Sequence, residues 1–180
     1  MELLIYTEPV NSLKERIEKF AEQLETEGRL IPVPPEDLHS TLFRGEIGEQ
    51  YKGNLIGILT KLSEDGRPFI EKGIKKVKKV DEGSLILELE GRGLMSLHNK
   101  ILSELGRSLP NIKGVYSEHF RHNYNPHITI GTLIGGVPQF LPSNLIGWQG
   151  WVNYFNLAVK EGEEWKKVET FGFVDLRSYW

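Results

Sequence analysis

The chain has 180 residues, 39% hydrophobic and 26% charged, with a formal net charge of −3 and no cysteine. That length fits one domain, or two small lobes sharing a core. The near-neutral balance argues against gripping long nucleic acid by bulk electrostatics, and the lack of cysteine excludes disulfides, thiol catalysis and cysteine-built zinc sites.

Leu3 to Thr7 is a short apolar run ending near Pro9, read as a buried first strand. Ser12 and Glu15 have capping-box spacing, and Leu13, Ile17, Phe20, Ala21 and Leu24 follow at helical spacing until Gly28. Pro32, Pro34 and Pro35 predict an extended connection into a strand over Leu38 to Phe43. A second helix is predicted over Glu49 to Leu62, although Gly53 and Gly57 weaken it. Phe69 to Val80 and Ser84 to Leu89 form a predicted hairpin around Asp81 to Gly83.

Leu94, Leu97, Ile101, Leu102 and Leu105 predict a third amphipathic helix, ended by Gly106 or Pro110, with His98 on its surface. His127 to Leu133 reads as a strand entered through Pro126, and Gly135 to Gly150 as a loop. Val152 to Lys160 and Trp165 to Val174 make a closing hairpin around Glu161 to Glu163. Strands outnumber helices and hairpins dominate, so the fold class is α+β with largely antiparallel sheet and helices packed outside. No stretch reads as a flexible linker, and the helix-then-motif order occurs twice, so residues 1–180 are expected to form one bilobal domain. No apolar run is long enough for a bilayer and Met1 to Tyr6 is not a signal peptide, giving the expectation of a cytoplasmic monomer with no membrane contact.

The chemistry lies in a repeated pattern. His39-Ser40-Thr41-Leu42 and His127-Ile128-Thr129-Ile130 both read His-x-Thr-aliphatic. Residues i and i+2 of a strand share a face, so each motif presents an imidazole beside a hydroxyl, with Leu42 and Ile130 directed to the core. Ser40 is a polar misfit on that core side. Imidazole titrates near neutrality, so one histidine can accept a proton while the other delivers one. The threonine hydroxyls can donate to phosphoryl oxygens as charge builds on them. Two such pairs suit phosphodiester cleavage or transfer, with no metal or other cofactor needed.

Through Asp37 to Leu42 and Asn125 to Gly131, the sequence resembles the two-histidine (2H) phosphoesterase superfamily, which includes 2′-5′ RNA ligase-like proteins and cyclic phosphodiesterases. The resemblance implies a bilobal, pseudo-symmetric fold with the motifs facing each other across a central cleft. It implies His39 and His127 as acid–base pair and Thr41 and Thr129 as phosphate contacts. The implied substrate is an RNA end, a small cyclic nucleotide or an ADP-ribose phosphate, cleaved at a 2′,3′-cyclic phosphate or 2′-5′ linkage. The segment Phe120 to Tyr124 is more polar than the family's aromatic stretch at this place.

Arg121 and Arg44 are candidate phosphate clamps, although in a straight strand Arg44 falls on the core side with Leu42. Tyr6, Phe43, Tyr124, Trp148 and Trp151 are candidates to stack a base, against ordinary packing. His119, His122 and His127 can be drawn as a zinc site, but no helix fixes their spacing. Lys72 to Lys79 carries five lysines, read as a solvated strand face or guarded edge ahead of an RNA contact. Gly91-Arg92-Gly93 is a weak candidate for an anion-binding helix start. The alternative to an enzyme is a nucleotide- or RNA-binding module of the same fold with little turnover.

Overall fold

The computed structural model describes residues 1–80, 83–109, 111–114 and 124–174. In chain order these form β1 (Glu2–Thr7), α1 (Asn11–Thr26), β2 (Leu30–Pro32), β3 (Ser40–Glu46), α2 (Lys52–Glu64), β4 (Phe69–Lys79), β5 (Ser84–Glu90), α3 (Arg92–Ser108), β6 (Lys113–Gly114), β7 (His127–Leu133), β8 (Gln149–Val152), β9 (Tyr154–Glu161) and β10 (Glu164–Gly172). The fold is α+β, with every strand pair antiparallel among the described residues.

Two five-stranded sheets carry the motifs, ordered β10-β9-β1-β3-β6 and β8-β4-β5-β7-β2. Written so, the sheets match position by position. Each motif strand, β3 or β7, lies beside the strand that leads into a long helix, β1 before α1 or β5 before α3. Each is flanked on its other side by a short strand from the opposite half. β2 leaves its own half to pair with β7, and β6 pairs with β3. The halves therefore exchange strands, and one apolar cluster with Leu3, Ile5, Leu42, Leu87, Ile128 and Ile130 runs through both.

Periodicity explains the helices. α1 buries Leu13, Ile17, Phe20, Ala21 and Leu24, the set its 3.6-residue stripe selects. Its start differs from the capping-box expectation: Val10 is the cap residue, no side chain caps the helix, and the Ser12 hydroxyl instead accepts a hydrogen bond from the Trp148 indole at 3.1 Å. α2 begins at Lys52 after a single 3-10 turn at Glu49–Tyr51. The proline-rich connection holds β2 and a 3-10 turn at Pro35–Asp37, more structure than an extended link.

α3 continues through Gly106 to Ser108, and His98 is fully buried on it rather than covering its surface. His98 stands four residues after Leu94 and three before Ile101, so it belongs to the apolar stripe. The closing strand breaks at Asn153: β8 joins the second sheet and β9 the first. β8 pairs only with Phe69–Lys72, so among the described residues the later part of β4 has β5 alone beside it, and its exposed lysines form a solvated edge as expected; Lys76 and Lys78 there pair with the buried carboxylate of Glu88 at 3.1 and 3.6 Å. At the start of α3 a Cβ on Gly91 would run into the Glu71 carboxylate, so an acidic group already occupies the place suggested for an anion.

Candidate active site

The motif strands break register at the same place. Tyr6 pairs with Thr41 and Ile5 with Phe43, leaving Leu42 as an extra residue in β3. Ile86 pairs with Thr129 and Leu85 with Gly131, leaving Ile130 extra in β7. Each motif thus ends in a β-bulge whose added residue is its aliphatic fourth position. Leu42 and Ile130 are both fully buried, whereas Thr41 and Thr129 are half-exposed on the other face. The expected same-face units of imidazole and hydroxyl are present in this form, with β7 starting at His127 and β3 starting one residue after His39.

The histidines are held alike. His39 Nδ1 lies 2.7 Å from the Asp37 carbonyl, and His127 Nδ1 lies 2.9 Å from the Asn125 carbonyl, in each case two residues back. A carbonyl only accepts, so each Nδ1 carries the hydrogen and each Nε2 is left for proton transfer. The ring of Tyr6, whose residue faces Thr41 across the sheet, packs edge-on to His39 with centroids 5.3 Å apart. Burial lowers the His39 pKa below the ordinary imidazole value; the Asp37 carbonyl and carboxylate oppose this, while the charge of His127 adds to it.

A cleft of about 540 Å³ opens beside His39, with Leu4, Tyr6 and Ala158 in its floor and Glu8, Lys14, Trp165 and Lys167 around it. Leu4, Tyr6 and Glu8 alternate along the chain onto this face. The Glu8 carboxylate accepts hydrogen bonds from Asn156 Nδ2 at 3.1 Å, Lys167 Nζ at 3.2 Å and Tyr154 Oη at 3.3 Å. Burial, with Glu8 and Tyr154 nearby, raises the Tyr6 pKa to about 12, so its phenol stays protonated. Glu8, which lines the cleft, and Asn156, which holds its carboxylate, are residues that motif spacing does not single out. Their signals are the alternation of β1 continuing to Glu8 and a polar residue, fully buried, inside the apolar run of β9.

The remaining candidates separate. Phe43 is only 3% exposed and packs in the core, because the bulge turns it away from the histidines; it is not placed to stack a base. The same bulge brings Arg44, which pairs with Leu4, onto the cleft face rather than the core side. There its guanidinium is held by Glu2, with Nε 2.9 Å from Oε1, and lies 5.3 Å over the Trp165 ring. Tyr124 stacks on His98, centroids 3.9 Å apart, and its hydroxyl donates to the Thr41 carbonyl at 3.0 Å. Trp148 is buried and Trp151 is 41% exposed on β8. Arg121, His119 and His122 lie outside the described residues, as does most of the segment before the second motif. Among the described residues no group of three or more acidic, histidine or cysteine side chains is arranged to hold a metal ion, and no helix is long and apolar enough to cross a membrane.

Solved structures share this architecture. TT0787 of Thermus thermophilus superposes with a TM-score of 0.76 at 19% identity, over 96% of this chain and 98% of that one. LigT of E. coli in its apo form gives 0.71 at 18% identity, over 97% and 98%. The MHV ns2 PDE domain gives 0.58 at 14%, over 93% and 99%. No family model matches the chain, and no curated protein does. The fold is the LigT-like fold. LigT of E. coli has been solved with 3′-AMP, ATP, NADP+ and phosphate.

Proposed function

We propose that the protein is a metal-independent two-histidine phosphoesterase that opens a 2′,3′-cyclic phosphate, or cleaves a 2′-5′ linkage, on an RNA end, a small nucleotide or an ADP-ribose phosphate. The observation that carries this reading is the matched pair of imidazoles, each with Nδ1 tied to a backbone carbonyl and Nε2 left to exchange a proton. The LigT-like fold and the nucleotide ligands of E. coli LigT agree with it.

The lowered pKa of His39 favours its neutral form, which suits the base. In hydrolysis His39 Nε2 takes a proton from water, and the oxygen attacks phosphorus. The bond to one ribose oxygen breaks as His127 Nε2 delivers a proton to it. Thr41 and Thr129 donate hydrogen bonds to the non-bridging oxygens, where negative charge grows. A 5′-hydroxyl attacking in place of water joins ends with the same two roles; the reverse of that step, in which the neighbouring ribose hydroxyl attacks a 2′-5′ linkage and expels the 5′-oxygen, exchanges them. The cleft beside His39 takes the nucleoside, with Tyr6 and Trp165 as apolar walls and Lys14 and Lys167 as the nearby cations.

Hydrolysis of 2′,3′-cyclic nucleotides by the wild type, His39→Ala and His127→Ala, each with and without EDTA, tests the proposal. Turnover by the wild type alone, indifferent to chelator, is the expected result. Strong chelator inhibition would overturn the metal-independent mechanism, and tight nucleotide binding without turnover would identify a binding module instead.

A further inference from the structure

The bulge in β3 is held from behind by two side chains, one expected on the surface of α3 and the other expected to stack a base. A bulge interrupts the ladder, so its carbonyls must find other donors. In β7 the bulge residue Ile130 is satisfied by backbone: the Val33 N–H donates to its carbonyl at 3.1 Å. In β3 the same place depends on a side chain: His98 Nδ1 donates to the Leu42 carbonyl at 2.5 Å. The carbonyl of Thr41, one residue earlier, accepts from the Tyr124 hydroxyl at 3.0 Å. The rings of His98 and Tyr124 stack with an interplanar angle of 12°, so each restrains the other.

Tyr124 also connects the two motifs. It precedes His127 by three residues, and Asn125 between them supplies the carbonyl that orients the His127 ring. One short segment therefore grips Thr41 by its backbone and His127 by its imidazole. We propose that His98 and Tyr124 are positioning residues, which set the aim of Thr41 and the spacing between the two His-x-Thr motifs. The inference rests on the phosphoesterase reading for its kinetic consequence, and on geometry alone for the spacing.

Tyr124→Phe keeps the stacked ring and removes only the hydroxyl. His98→Leu removes the donor, whereas His98→Asn retains an N–H donor near the same position. Each variant is compared with the wild type in kcat and KM on a 2′,3′-cyclic nucleotide, in thermal unfolding, and in NMR pH titration of the His39 and His127 imidazoles. Misplacing a reacting group by a fraction of an ångström is expected to lower kcat about tenfold in Tyr124→Phe and His98→Leu, with KM within about twofold. His98→Asn is expected to recover most of the loss, and the His39 titration to move as its distance from His127 changes.

Wild-type kcat in Tyr124→Phe and His98→Leu would overturn the proposal. So would a loss that merely follows the unfolding temperature and is not recovered by His98→Asn. If the wild type itself has no turnover, the phosphoesterase reading fails separately. The titrations then decide the positioning role, and unchanged midpoints in both variants overturn it.

Discussion

Leu42 in β3 and Ile130 in β7 hold equivalent places, each the extra residue of a bulge directly after the motif threonine. The repetition extends the two-fold likeness of the halves from sheet order to a single backbone irregularity. A bulge reverses the facing of the residues beyond it, so each strand offers the cleft a histidine and a threonine and then returns its apolar residues to the core.

Both histidines are half-buried with one nitrogen anchored, so their removal should affect chemistry more than folding. His39→Ala and His127→Ala are each expected to lower kcat about 10²–10⁴-fold, the usual contribution of a positioned acid or base. Circular dichroism melts should remain close to the wild type. Steady-state hydrolysis of a 2′,3′-cyclic nucleotide makes the comparison, and a variant with undiminished kcat would remove that histidine from the mechanism.

The threonines permit a subtler test, because valine has nearly the same shape without the hydroxyl. Thr41→Val or Thr129→Val should lower kcat by about 10²-fold while leaving the strands intact. A change in KM alone would mean that the hydroxyls hold the ground state and not the developing charge.

The pH profile has a definite sign. Burial disfavours the charged imidazole of His39 and lowers its pKa from 6.5. The acid limb of kcat/KM, where the base becomes protonated, should therefore have its midpoint below 6.5 in the free enzyme. His39 also costs stability in acid, since a base with a depressed folded pKa resists protonation more in the folded chain than in the unfolded one. That loss sets in as pH falls through 6.5 and should be absent from His39→Ala. Rate profiles and melts spanning the acid side of neutrality follow both effects.

Glu88 has the same sign by a different cause. Burial pushes its carboxyl up, but the hydrogen bond and charge of Lys76, together with Asn125 and Lys78, more than offset this and lower its pKa from 4.5. The contribution to stability is then full above 4.5 and lost as pH falls through the folded value. Glu88→Gln should melt lower than the wild type at neutral pH, and the gap should close in acid.

Phe43 separates packing from recognition. Truncation to alanine in a filled core costs about 3–5 kcal/mol, so Phe43→Ala should be strongly destabilised in urea. Phe43→Leu, a milder change, should retain wild-type KM because the ring does not face the cleft. A raised KM in a well-folded Phe43→Leu would reopen its candidacy as a stacking residue.

The elements built on periodicity are legible in the sequence: α1 buries the five residues of its stripe, and the strands bearing the motifs lie where alternation and proline place them. Three kinds of feature are not. β2 and β6 are two or three residues long, too short for a period, and exist because a partner strand offers them hydrogen bonds. The bulges are invisible because they depend on register with a neighbour, which is why straight-strand alternation puts Arg44 and Phe43 on the wrong faces. His98 looks like a surface residue by its polarity, though its position on the wheel of α3 already places it inside.

The exchange of β2 and β6 bears on how a substrate is admitted. Two lobes joined by a hinge can open like jaws and close on whatever enters. Here each lobe completes the other's sheet, and one core runs through both, so separating them would break strand hydrogen bonds and expose apolar surface together. Any motion that parts the motif strands from these borrowed neighbours therefore costs both at once.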